Sequence, residues 1–324
     1  MKKRGIGIGC MWYGIGNTGL PNPSSAFVEW HGDGSVNVLV GCADIGQGSN
    51  TVMAQIVVEE LGVPYEKITV ISADTLITPD GGATSASRQT YISGNAVKLA
   101  AKEAKKYVVS GAAEKLAVAE NRIGFADGYV CVDGNKTELS SNDVISECRK
   151  KGILTLGHGC FNPDTTGLDP ETGQGRPFGT YAFATQVVEI EVDTGTGKIE
   201  VIKVVAAHDV GRAVNPLQVE GQIEGGGLMG MSFGVLEELN VENGRIKNPN
   251  FDSYLIPTAL DTPIIETIIV EDNEPSGPFG AKGVGEPSLI PTAAAIANAV
   301  YDAIGIRIYS LPISPEKVLA ALGK

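Results

Sequence analysis

Two stretches of the chain repeat one hydrophobic pattern. Ala26-Phe27-Val28-Glu29-Trp30 alternates, His31-Gly32-Asp33-Gly34 turns, and Ser35-Val36-Asn37-Val38-Leu39-Val40 alternates again, which predicts a β-hairpin. A glycine-bearing segment, Asp44-Ile45-Gly46-Gln47-Gly48-Ser49-Asn50-Thr51, comes next. Met53, Ile56, Val57 and Leu61 then recur at helical spacing, with Gly62 as the stop. From Tyr181 the order returns. Phe183 to Val192 alternates, Asp193-Thr194-Gly195-Thr196-Gly197-Lys198 turns, and Ile199 to Ala207 alternates back. Gly211-Arg212-Ala213-Val214-Asn215-Pro216 then precedes a helix through Val219 and Ile223 that leads into Gly225-Gly226-Gly227. Hairpin, glycine-bearing loop and helix, twice over, predict an α+β fold of two subdomains related by a pseudo-repeat, residues 1–175 and 176–324. Two copies are too few for a solenoid.

Between these stretches the pattern predicts a short strand over 68–72, a loop from Gly81 to Thr90, and a helix from about residue 94 to 115. Residues 116–175 are less constrained. Asp127-Gly128 and Asp133-Gly134 mark a surface hairpin, and 164–176 a long loop. Near the end, Ile296, Ala297, Val300 and Ile304 fall on one helical face, with Pro291 in the first turn and Gly305 as the stop. Residues 5–24 carry glycine at nearly every second early position and are predicted as a loop, on which Trp12 and Tyr13 anchor a core or line a pocket. Gly14, Gly16 and Gly19 spell a dinucleotide fingerprint, but Leu20-Pro21-Asn22-Pro23 forbids the helix that such a site needs.

Composition narrows the class. The 324 residues, 43% hydrophobic, suffice for one large domain or two ordinary ones. The 42 glycines are nearly twice the usual share and cluster, which points to loops pressed against something. A net charge of −13 argues against nucleic acid or an anionic membrane as partner. No apolar run reaches the length of a membrane-spanning helix, and Met1-Lys2-Lys3-Arg4 precedes glycine-rich sequence without a signal-peptide core. Cys10, Cys42, Cys131, Cys148 and Cys160 are scattered, as are His31, His158 and His208. Neither a disulfide framework nor a zinc or iron–sulfur site of the chain's own is expected, and a reducing, cytoplasmic setting fits.

Candidate chemistry lies in three loops. In Pro278-Phe279-Gly280-Ala281-Lys282-Gly283-Val284-Gly285-Glu286-Pro287 three glycines let backbone approach a ligand, and Pro287 restricts Glu286 to extended conformations. An acid is thus held on a stiff loop ahead of a buried helix, although read alone this is also a tight turn with a solvated carboxylate. Gly46 and Gly48 leave amides beside a helix N-terminus, which favours an anion. Ser85, Ser87 and Arg88 bear groups that bind phosphate oxygens, and that equally suit a cap.

In order along the chain, Arg4-Gly5-Ile6-Gly7, Asp44-Ile45-Gly46-Gln47-Gly48 with Thr51 and Gln55, Ser85-Ala86-Ser87-Arg88-Gln89, Asp209-Val210-Gly211-Arg212 with Asn215-Pro216, Gln218-Val219-Glu220-Gly221-Gln222 and Gly283-Val284-Gly285-Glu286-Pro287 form a set. Together they resemble the second half of the molybdopterin-binding subunit of the xanthine dehydrogenase/aldehyde oxidoreductase family, the molybdenum hydroxylases. Within it the likeness runs to the medium molybdopterin subunit of bacterial nicotinate dehydrogenases. The resemblance implies hydroxylation of an electron-poor carbon of an N-heterocycle or aldehyde with oxygen from water, and Glu286 matches the family's catalytic base. It implies that Gly46, Gln47, Gly48 and Gln218 lie along the pterin, Ala86 beside the metal centre, and Ser85, Ser87, Arg88 and Gln89 beside the pterin or its nucleotide phosphates. The cofactor implied is molybdopterin, as a dinucleotide, carrying molybdenum on its dithiolene and not on protein ligands. The partners implied are a chain with the other half of the molybdenum subunit, plus iron–sulfur and flavin (FAD) subunits that take the electrons. A non-catalytic relative, a scaffold or cofactor-insertion protein, is the alternative.

Overall fold

The computed structural model describes residues Met1–Lys324. In chain order its elements are β1 (Lys2–Gly14), β2 (Ser24–Trp30), β3 (Val36–Val40), α1 (Ser49–Leu61), β4 (Ile68–Ser72), α2 (Gly94–Leu116), β5 (Ile123–Ala126), β6 (Tyr129–Val132), β7 (Asn135–Ser140), α3 (Ser141–Lys150), β8 (Leu156–Phe161), β9 (Tyr181–Asp193), β10 (Ile199–Asp209), α4 (Pro216–Val235), β11 (Val241–Glu242), β12 (Arg245–Ile246), β13 (Ile264–Val270), α5 (Ile290–Ile304) and α6 (Pro315–Ala321). They form two compact units, each discontinuous in sequence. The first holds Gly14–Thr180 and Asn273–Gly283, the second Met1–Tyr13, Tyr181–Asp272 and Val284–Lys324. The chain therefore changes unit at Tyr13/Gly14, Thr180/Tyr181, Asp272/Asn273 and Gly283/Val284. Hydrogen bonds explain the late return to the first unit. Asn95 Nδ2 donates to the Ser276 carbonyl at 2.8 Å, and the Tyr91 and Ser276 hydroxyls pair at 2.8 Å.

In the first unit the sheet order is β4-β3-β2-β8. β2 and β3 pair antiparallel from Ala26↔Val40 to Trp30↔Val36, and β3 and β4 pair parallel from Val36↔Ile68 to Val40↔Ser72. The alternation places Ala26, Val28, Trp30, Val36, Val38 and Val40 on one buried face, against Met53, Ile56, Val57 and Leu61 of α1 and the alanines of α2. The meander β5-β6-β7 and helix α3 complete the unit within the stretch that carried the weakest pattern. α3 starts where Ser140 Oγ accepts the Asp143 amide at 3.2 Å and donates to its carboxylate at 2.6 Å.

The second unit repeats the plan, with order β1-β9-β10-β13. β9 and β10 are antiparallel, while β10 and β13 are parallel from Lys203↔Ile264 to Asp209↔Val270, with α4 as the crossover. Its core joins Val188, Ile190, Val192, Val204 and Ala206 to Ile223, Ala295, Ile296, Ala299 and Val300. The repeat extends to single residues: Asp44 Oδ1 accepts the Gly46 amide and Asp209 Oδ1 the Gly211 amide, each at 2.9 Å and each at the loop after the hairpin.

Two sequence expectations change here. Residues 2–14 form a strand, not part of a loop, and α4 continues through Gly225-Gly226-Gly227 to Val235. Close approach of backbones explains both. A Cβ on Gly5, Gly7 or Gly9 of β1 would overlap the carbonyls of Ala299, Ala295 and Pro291 on α5, and one on Gly157 or Gly159 of β8 would overlap those of Ala100 and Ala96 on α2, all under 3.0 Å. Two strand residues advance about 6.6 Å and four helical residues about 6 Å, so alternate glycines stay in step with successive helical turns. On α4, a Cβ at Gly226 would strike Ser288, and one at Gly230 would come within 2.6 Å of Thr292 Oγ1. These glycines lower helix and strand propensity but permit contacts that no side chain would allow.

Gly159→Ala should therefore destabilise the protein by about 3 kcal/mol through overpacking, whereas Gly167→Ala, with nothing within 4 Å of the new methyl, should leave the denaturation midpoint unchanged. Equal midpoints for the two variants in urea would contradict the backbone-contact account.

Candidate functional site

In the first unit, two glycine-bearing loops are stitched into one surface. The Ala43 amide donates to Thr84 Oγ1 and the Thr84 hydroxyl donates back to the Ala43 carbonyl, both at 3.0 Å. Gln89 Nε2 donates to Thr84 Oγ1 at 3.1 Å and to the Ala83 carbonyl at 3.0 Å, while its Oε1 accepts from Ser93. Gln47 folds its amide into its own loop: Nε2 donates to the Ala43 carbonyl at 3.1 Å, and Oε1 accepts the Ile45 amide at 2.7 Å. The Gly46 and Gly48 amides, expected to await an anion, donate to Asp44 Oδ1 at 2.9 and 3.3 Å, and Asn50 donates to Asp44 Oδ2 at 3.2 Å. A resident carboxylate thus occupies the N-terminus of α1. Burial pushes the Asp44 carboxyl up, but the amides of Gly46, Asn50, Gly48 and Ser49 outweigh it and leave the pKa below the usual carboxylate value. The face of Gly46 stays open, with nothing within 4 Å of a Cβ built there.

Arg88 is 1% exposed and acts as a clamp. Nη1 donates to the Gly81 and Ala83 carbonyls at 2.6 and 3.0 Å, Nη2 to the Asn22 and Pro23 carbonyls at 3.0 Å each, and Nε finds no partner. Burial holds its pKa below the usual arginine value, with the Asp80 carboxylate working the other way. The turn before it is strained: Ala86 and Ser87 take φ of 52° and 51°, the left-handed region that non-glycine residues avoid. Gly16 donates to the Ala86 carbonyl at 2.9 Å, and Gly283 lies so close to the Ser87 carbonyl that a Cβ would overlap it. Ser85 is exposed beside them. Strain of about 1–3 kcal/mol per residue persists where a surrounding structure over-determines it, as at ligand sites.

In the second unit, Glu286 opens a single 3-10 turn, Glu286–Ser288, just ahead of α5. The carboxylate is half-buried. The Tyr13 phenol is pushed up to about 12, first by burial and then by the Glu286 carboxylate, so it stays protonated and able to donate. Behind the turn, Gln186 is fully buried: Nε2 donates to the Ser288 carbonyl at 2.8 Å and lies 3.0 Å from His208 Nε2, and Oε1 accepts the Thr292 hydroxyl at 2.6 Å. Burial lowers the His208 pKa to about 4, so the ring is neutral at neutral pH. At the start of α4 the Gln218 amide donates to Asn215 Oδ1 at 3.2 Å, while Gln218 Oε1 is buried without a partner.

Of the residues the sequence singled out, the first unit thus gathers Gly46, Gln47, Gly48, Ser85, Ala86, Ser87, Arg88 and Gln89, and the second places Gln218 on α4 and Glu286 on its turn. Thr84, Gln186 and Thr292 escaped sequence reasoning, as did the roles of Asp44 and His208. Only Asp44 had a local signal, an Asx turn ahead of a glycine; Gln186 meets its partners across 102 and 106 residues.

The amino-acid sequence matches the molybdopterin cofactor-binding domain over residues 1–263. It is 33% identical over 324 residues to a putative xanthine dehydrogenase molybdenum-binding subunit of Escherichia coli (strain K12), covering 98% of this chain and 42% of that protein. Among solved structures, the aldehyde oxidoreductase from Desulfovibrio gigas superposes with a TM-score of 0.83 at 31% identity, covering 100% of this chain and 33% of that one. Quinoline 2-oxidoreductase from Pseudomonas putida 86 does so with 0.87 at 27% identity, covering 100% and 42%. The chain belongs to the molybdopterin cofactor-binding family of the molybdenum hydroxylases. It spans less than half the length of these relatives. No helix is long and apolar enough to cross a membrane.

The residues fit such a cofactor. Each unit has a feature open to a ligand: in the first the face at Gly46 is bare, and in the second Gln218 Oε1 is buried without a partner. No group of three or more His, Cys, Asp or Glu is placed to hold a metal ion.

Arg88→Ala would strip donors from four carbonyls, and at roughly 1 kcal/mol for each buried group left unpaired the loss should be about 3–4 kcal/mol of stability, with reduced molybdenum content. Full metal content at a lowered melting temperature would confine Arg88 to holding its loops. A second expectation concerns pH. The folded His208 pKa near 4 lies below its ordinary 6.5, so the unfolded chain takes up the proton first as pH falls. This contribution to stability is complete above about pH 6.5 and lost by about pH 4, a span of about 3 kcal/mol. His208→Gln should flatten that limb in melts from about pH 7 to pH 4.5; an unchanged slope would assign it to other groups.

Proposed function

We propose that this chain is part of the catalytic molybdenum subunit of a hydroxylase that inserts water-derived oxygen at an electron-poor carbon of an N-heterocycle, such as nicotinate, or of an aldehyde. The observation that carries this is the placement of Glu286. It is the one carboxylate of the matched motifs held half-buried on a stiff Gly/Pro turn, with its backbone fixed from behind by a buried amide. The match to quinoline 2-oxidoreductase and the aldehyde oxidoreductase supports the two substrate classes.

The overall reaction takes R–H and water to R–OH, two protons and two electrons. The bound cofactor supplies the oxidising centre at which the two electrons are collected. Glu286 acts as general base: its carboxylate removes the proton whose loss turns the water-derived oxygen into a nucleophile. Tyr13, kept protonated, lies within electrostatic reach of that carboxylate. In the first unit Gly46, Gln47, Gly48, Ser85, Ala86, Ser87 and Gln89, and in the second Gln218, are the residues that would hold a molybdopterin dinucleotide. Arg88 serves this surface by holding its loops in place.

The proposed partners are a chain carrying the other half of the molybdenum subunit, and iron–sulfur and FAD subunits through which the electrons leave.

Glu286→Gln keeps the shape of the side chain and removes the base. Turnover of the assembled enzyme should fall by about 10²–10⁴ with molybdenum content unchanged. A variant that kept more than about half of wild-type turnover at equal metal loading would exclude Glu286 as the base.

A further inference from the structure

The turn that carries Glu286 is held from two sides by groups to which neither the motifs nor the family match assigns a role. On one side α4 presses in at Gly226 and Gly230, where any side chain would collide with Ser288 or with Leu289 and Thr292. On the other side Gln186, from β9, reaches the Ser288 carbonyl at 2.8 Å. Within the turn, the Ser288 hydroxyl donates to the Gly285 carbonyl at 2.6 Å and the Leu289 amide to the Glu286 carbonyl at 3.2 Å. A shift of Ser288 therefore shifts Glu286.

The Gln186 amide has only one satisfactory orientation. Reversed, its oxygen would face the Ser288 carbonyl and its NH₂ would lose that acceptor. Thr292 Oγ1, 2.6 Å from Gln186 Oε1, donates to it. His208 Nε2, 3.0 Å from Gln186 Nε2, accepts in this orientation, which places the imidazole proton on Nδ1, a buried atom with no partner of its own. All three side chains are at most 1% exposed, so an amide with a missing partner could not turn to water instead.

We infer that Gln186 is a positioning residue for Glu286: its amide, oriented by His208 and Thr292, fixes the Ser288 carbonyl and through it the angle at which the carboxylate is presented. The inference rests on the proposed role of Glu286 as base. It explains why a fully buried polar triad crosses the sheet-to-helix core of this unit at the one place where the core meets the turn. Gln186 itself touches no reacting atom.

The test uses the assembled enzyme with Gln186→Met, which keeps length and apolar volume, together with Thr292→Val and Thr292→Ser. Per molybdenum, kcat of Gln186→Met should fall by about 10- to 100-fold, as for a small misplacement of a catalytic group, with KM changed by no more than about twofold. Thr292→Val should show a smaller loss, and Thr292→Ser, which keeps the hydroxyl, should restore wild-type behaviour. Hydrogen exchange gives a readout independent of turnover: the Leu289 amide should exchange faster in Gln186→Met while amides of β9 and α4 keep their protection. Unchanged Leu289 exchange, or wild-type kcat per molybdenum, overturns the inference, as does faster exchange throughout the unit. The proposed role of Glu286 stands or falls separately with Glu286→Gln, and the Leu289 readout decides the positioning of the turn whichever way that variant behaves.

Discussion

A helix can approach a sheet only as closely as the side chains between them allow, and in both units of this protein those side chains are missing. Gly157 and Gly159 on β8, and Gly5, Gly7 and Gly9 on β1, bring strand backbone against the carbonyls of α2 and α5, whose own facing residues are largely alanine. That contact fixes the depth at which each helix lies. The position of α5 in turn sets where Thr292 stands, and hence where the turn at Glu286 is tied. The same logic recurs on α4, where glycines at 226 and 230 let the helix close onto that turn. The glycine-rich composition is therefore as much a packing device as a source of flexible loops.

A second theme is that the charges and amides expected to meet a ligand are largely occupied by the protein itself. Asp44 takes the amides at the start of α1, Arg88 spends four hydrogen bonds on carbonyls, and Gln47 and Gln89 bind their own loops. Such internal satisfaction ties these loops to their own unit and leaves few of their polar groups free. What remains open is small and specific: the Gln218 oxygen in one unit and the bare face at Gly46 in the other.

Much of the architecture was legible before any coordinates. The period-two runs gave β2, β3, β9 and β10, the period-3.6 runs gave α1, α2 and α5, and the twofold order of hairpin, loop and helix predicted the repeat that the matching sheet orders display. α3 was legible in principle, through Ser140 and Asp143, but was overlooked in a stretch of low hydrophobicity. β1 was misread because alternating glycine lowers strand propensity, and the compensation comes from α5, nearly 300 residues away.

The sequence by itself determined the secondary elements whose signals are local: alternation, helical periodicity, caps and the Asp-x-Gly turns. It also determined the family, because ordered motifs survive when contacts cannot be seen. Tertiary structure alone decided which unit each segment joins, that the amides of Gly46 and Gly48 are already taken, that Arg88 grips carbonyls, and that Gln186, His208 and Thr292 converge behind Glu286. The reason is physical. A hydrogen bond between residues 100 apart leaves no periodic trace along the chain, and its partners become recognisable only when packing removes the water that would otherwise satisfy them.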